Sequence, residues 1–144
     1  VVPSCRSHYA VTMLCGDQQG DHDECRTVES GHYSTLVSIY NPGTCPVVIE
    51  KRFAPLVVQG RAVGREPDTQ PAKPFAKIEL GRGEATMDDC CALKEAGVGV
   101  DGLIGVLDLV ATGRLRVTVV RTISGREGMT PTVSSYDVEP LRAP

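Results

Sequence analysis

Apolar and polar residues alternate most clearly from 33 to 40, where YSTLVSIY sets Tyr33, Thr35, Val37 and Ile39 against Ser34, Leu36, Ser38 and Tyr40. A period of two carried by β-branched and aromatic residues predicts a β-strand. Asn41-Pro42-Gly43 stops it: Pro sets φ for the first turn position, Gly accepts a positive φ at the second, and Asn bonds its own backbone. A second apolar run opens at once with Cys45-Pro46-Val47-Val48-Ile49. The stretch 33–58 is therefore expected to be a central strand pair around a tight turn.

The same pattern extends to both sides. Residues 8–15 (HYAVTMLC) alternate as a first strand, and 16–31 is polar and acidic, a surface loop. Residues 47–58 carry Val47, Ile49 and Phe53 on one parity and Val48, Glu50 and Arg52 on the other, with Pro55 marking an edge or a bend. From 59 to 74, prolines and glycines without periodicity predict a long exposed loop. A short strand follows at 75–80 (FAKIEL). Residues 85–96 (ATMDDCCALKEA) gather helix formers, acidic early and with Lys94 late, and predict one short helix near 86–96 ended by Gly97 and Gly99. Residues 101–111 and 115–123 read as a hairpin in the middle of a sheet, and 132–138 as a last strand. The sum is an all-β chain, an immunoglobulin-like β-sandwich of about seven strands as a single domain over 1–144, with a flattened barrel as the other architecture.

Composition narrows this further. The length of 144 residues suits one core. No apolar run reaches the roughly 18–20 residues that cross a bilayer, so no membrane span is expected. A formal charge of −3, with 15 basic residues scattered among 18 acidic ones, leaves no basic stripe, and nucleic acid is not expected as a partner. The cysteines Cys5, Cys15, Cys25, Cys45, Cys90 and Cys91 are even in number and form no C-x-x-C pair. That spacing favours disulfides over zinc, and disulfides imply an extracytoplasmic compartment: secreted, periplasmic or cell surface. With no Met and no charged, apolar leader at Val1, an export signal is expected to have been removed. Cys90 and Cys91 are expected to pair with different distant cysteines, one of them Cys45, rather than with each other, since neighbouring side chains meet disulfide geometry poorly.

The candidate chemistry lies in the first third. All three histidines fall there, and His8, Asp21, His22, Asp23 and His32 supply imidazoles and carboxylates fit for copper or zinc, although no pair has a recognised ligand spacing. Asp17, Asp21, Asp23 and Glu24 offer oxygens for calcium, without the EF-hand order. The chain has no G-x-S-x-G, H-E-x-x-H or phosphate-cradling loop, so no catalytic residue and no cofactor is expected.

Several segments together resemble a group of small bacterial exported proteins of uncharacterised function: YSTLVSIYNP at 33–42, LGRGEATMDDC at 80–90, DGLIGVLDL at 101–109, LRVTVVRT at 115–122 and YDVEP at 136–140. The doubled cysteine at Cys90-Cys91 and the acidic, His-containing loop at 16–31 depart from that pattern. The resemblance implies one all-β domain and supplies no catalytic residues. The expected function is thus a non-enzymatic structural or interaction protein, a subunit or accessory domain of an extracytoplasmic assembly that binds a protein partner or itself. The alternative is a small metal-binding module built on the N-terminal His/Asp cluster.

Overall fold

The computed structural model describes residues 6–18, 27–124 and 131–141. Within them the chain is nearly all-β: β1 (Ser7–Gln18), β2 (Gly31–Tyr40), β3 (Val47–Val58), β4 (Arg61–Ala62), β5 (Lys73–Leu80), β6 (Ala85–Asp89), a helix α1 (Cys90–Glu95), β7 (Leu103–Ala111), β8 (Arg116–Ser124) and β9 (Thr132–Val138). All pairings are antiparallel, and the main path runs β4-β3-β7-β1-β2-β8-β9, with β5 on β3 and β6 on β2. The ladders form two groups, β1, β3, β4, β5 and β7 in one and β2, β6, β8 and β9 in the other. They join where Gly16, Asp17 and Gln18 at the end of β1 pair with Tyr33, His32 and Gly31 of β2. Gly16 turns the strand there with φ +80, and a Cβ on it would lie 2.0 Å from the Asp101 carboxylate, so a side chain there would be strained and would displace Asp101.

The core is drawn from both groups. Tyr9, Val11, Met13 and Cys15 of β1, Ile49 and Phe53 of β3, and Leu107 and Leu109 of β7 pack with Val37 and Ile39 of β2 and Val117 and Val119 of β8. Each set occupies alternate positions, as the period of two requires. Leu93 of α1 is fully buried and closes one end. The Tyr9 hydroxyl, buried with its ring, donates to the Leu115 carbonyl and accepts from the Leu115 N–H, which satisfies both across the core.

Four sequence expectations change. The described residues form nine strands rather than about seven, the two additions being β4 inside the expected 59–74 loop and β6, cut from the expected 85–96 helix. Residues 85–89 complete the edge of β2, pairing Ala85 with Tyr40 through to Asp89 with Leu36, and this ladder overrides their helix propensity. The helix begins only at Cys90, with the Asp89 side chain accepting from the Ala92 N–H as its N-cap. The expected loop at 59–74 opens with the two-residue strand β4, turned back on β3 through Gln59 and Gly60, both at positive φ, and β5 starts before it ends, at Lys73. The 33–58 stretch is two strands that do not pair with each other: β2 bonds β1, β6 and β8, whereas β3 bonds β4, β5 and β7. Likewise β7 and β8 form no hairpin, since each joins a different group. Local alternation fixes which residues face inward and leaves the choice of partner strand to tertiary packing. Pro55 sits where the β3–β7 register shifts, a place that needs no N–H from it.

Asn41 holds the crossing from β2 to β3. Its fully buried side chain donates through Nδ2 to the carbonyls of Cys45, Leu80 and Gly81, and accepts from the Gly43 N–H. Its backbone also bonds Glu84 and Gly83, so one residue ties the 41–46 turn to the β5–β6 turn. Asn41→Ala is expected to lower stability by at least ~2 kcal/mol, because buried carbonyls lose their donor. Urea unfolding measures this, and a change below ~0.5 kcal/mol would show that water replaces the amide without loss.

Candidate functional site

The open edges of the sheet differ in how they are guarded. β5 carries Lys73, Pro74, Lys77 and Glu79, and its pairing with β3 is interrupted by a register shift between Lys51 and Arg52. β6 is five residues long and ends in Asp88 and Asp89 before α1. Charges, proline, irregular register and shortness are the usual means of keeping an edge from pairing with another chain. β9 has almost none of them. It is seven residues, TVSSYDV, with one charge, and it pairs with β8 from Thr132↔Ile123 to Val138↔Val117. No strand lies on its far side among the described residues. Six of its seven residues are exposed, on both faces, including Val133 at 68% and Tyr136 at 44%. Only Val138 reaches the core. Beyond its ladder β9 is held by few contacts: the Arg121 guanidinium lies 5.8 Å from the centre of the Tyr136 ring and donates to its hydroxyl at 3.4 Å, Arg116 Nε is 3.8 Å from Asp137 Oδ1 in an exposed pair, and just past the strand the Leu141 N–H donates to the His8 carbonyl of β1. Fixing a backbone residue costs roughly 1–2 kcal/mol, and β9 recovers little of it by burial.

The histidines of the sequence-based metal cluster are dispersed. His8, on β1, bonds Asp108 of β7. His32, on β2, has Nδ1 2.7 Å from Asp17 Oδ1. Asp17 lies on β1 nine positions from His8, up to about 30 Å of extended chain, so His8 and His32 do not share a site. Asp21, His22 and Asp23, with Glu24, lie outside the described residues. Among the described residues no group of three or more His, Cys, Asp or Glu is placed to hold a metal ion. Asp17 also lines an open depression of about 350 Å³ with Gln59, Gly60, Asp101 and Gly102, and its N–H donates to Asp101 Oδ1 at 3.1 Å. Close by on β2, burial first and the Glu29 carboxylate second push the Tyr33 phenol above its ordinary pKa, so it stays a neutral donor to the Glu29 carbonyl.

Of the six cysteines, Cys15 and Cys90 form a disulfide with Cα atoms 5.6 Å apart. It fastens the end of β1 to the start of α1, not the helix to the 41–46 turn as the sequence suggested. Cys45 is exposed and free, and the 41–46 turn is held through Asn41 to the β5–β6 turn, not to the helix. Cys91 is exposed and free, while Cys5 and Cys25 lie outside the described residues. The disulfide sits where the edge of β2 passes from β1 (at 31–33) to β6 (at 36–40). In that gap the Thr35 hydroxyl donates to the Leu14 carbonyl and accepts from the Leu14 N–H.

Sequence reasoning missed one buried pair. Lys51 of β3 and Asp88 of β6 meet across the core at 2.9 Å, with side chains 8% and 4% exposed. Asp88 Oδ2 has no partner among the described residues. The signal was present in the parity of β3, since Lys51 falls between Ile49 and Phe53 on the inward side.

No protein-family model matches the chain, and no curated protein matches it. Among solved structures it is similar to the crystal structure of Thermotoga maritima 1070, with a TM-score of 0.53, 9% sequence identity and 96% of each chain covered. At that identity the likeness concerns the fold alone. No helix among the described residues is long and apolar enough to cross a membrane.

Proposed function

We propose that this chain is an exported, disulfide-fastened, immunoglobulin-like β-sandwich of the uncharacterised bacterial group its motifs resemble, and that it acts without catalysis as a subunit or accessory domain of an extracytoplasmic assembly. The observation that carries the reading is β9, an edge strand exposed on both faces and nearly free of the features that block pairing. Support for the compartment comes from the Cys15–Cys90 disulfide, a bond that persists in oxidising surroundings. The two groups of strands packed on one core support the sandwich.

A metal-binding module is the second reading, and the His32–Asp17 pair beside Asp101 is what favours it. Elemental analysis combined with native mass spectrometry separates the two. The assembly reading expects protein free of stoichiometric copper and zinc; a monomer carrying either ion in a one-to-one ratio would overturn it.

A further inference from the structure

We infer that the partner of β9 is a second copy of this chain, joined by antiparallel β9–β9 pairing about a two-fold axis at Ser135. This rests on the assembly reading and gives it a partner. A two-fold axis perpendicular to a sheet keeps every side chain on its own face, so directly opposed residues share parity and the axis passes through a residue. Ser135 is the midpoint of Thr132–Val138. Centred there, all seven residues pair: Thr132 with the partner's Val138, Val133 with the partner's Asp137, Ser134 with the partner's Tyr136, and Ser135 with itself.

Charge and backbone chemistry select this register over its neighbours. Asp137 is the one charged residue of β9, and here it opposes Val133. The two Asp137 carboxylates then stand four positions apart, about 13 Å along the ladder, beyond the screening length at physiological salt. Moving the axis to Tyr136 brings those carboxylates within two positions and leaves Thr132 and Val133 unpaired. Moving it to Ser134 draws Pro131 into the ladder, where it has no N–H to give. In the Ser135 register the two most exposed apolar side chains of the strand, Val133 and Tyr136, each gain a neighbour across the seam. The group β6-β2-β8-β9 becomes half of a continuous sheet.

The test is the introduction of a charge at the axis. Ser135 is exposed, so Ser135→Lys and Ser135→Glu leave the monomer fold intact, checked by circular dichroism. Light scattering on size-exclusion fractions of the full chain is expected to show a wild-type dimer. Each single variant faces its own like charge and is expected to raise the dissociation constant at least about tenfold, and an equimolar mixture of the two is expected to restore the dimer. A wild-type oligomer unchanged in both variants would overturn the β9 pairing and leave the assembly reading standing. A metal-free wild-type monomer would overturn self-pairing, with the partner then a different protein, and a metal-loaded monomer would overturn both.

Discussion

Asp88→Asn is expected to cost the fold about 3–5 kcal/mol, the loss that follows when one member of a buried ion pair is removed and the other stays charged. Lys51 would remain 92% buried by its side chain, facing an amide that cannot neutralise it. Replacing the pair by apolar residues removes both charges. Lys51→Met with Asp88→Leu is therefore expected to recover most of that loss, within ~1 kcal/mol of the wild type or better, because the desolvation of two charges and of the unpartnered Asp88 Oδ2 is removed with them. Urea unfolding of the two proteins decides the matter. Equal destabilisation of the single and the double variant would mean that the pair is needed for more than mutual neutralisation.

The second large effect concerns the Cys15–Cys90 bond, which closes a loop across a sequence separation of 75. In the chain-entropy account a loop of that length stabilises by about 4 kcal/mol. The double variant Cys15→Ala, Cys90→Ala is expected to lose that amount, and the wild type to lose a similar amount in reductant. The remaining ties at the same place, the Thr35 hydroxyl on Leu14 and buried Leu93, keep the folded arrangement recognisable. A wild type whose unfolding midpoint does not move with reductant would show that the bond adds nothing to the ties around it.

The fold class was legible because period-two alternation is a local property. Residues 33–40, 47–58 and 132–138 were read as strands, and they are strands. Partner choice was not legible, since β2 and β3 share a turn but belong to different ladders, and nothing in either segment names its neighbour. The 85–89 segment was misread because Ala, Met and Asp suit a helix start, while an unfilled edge of β2 decides their state. At the sites the limits have the same origin. The histidines cluster in sequence, yet the length of β1 separates His8 from His32. The exposure of β9 follows from its place at the end of the strand path, beyond β8, which its own residues do not encode.

Pairing β1 with β7 fixes an order of events for the chain as it is made. Ser7 meets Ala111 and Cys15 meets Leu103, so β1 waits for residues synthesised 88 to 104 positions later before its main ladder exists. Until then its apolar face, Tyr9, Val11 and Met13, has no lasting cover. Topologies dominated by such distant pairings fold in milliseconds to seconds rather than microseconds. The apolar face of β1 thus stays without its main ladder through most of the synthesis of this domain, and the arrival of β7 ends that exposure.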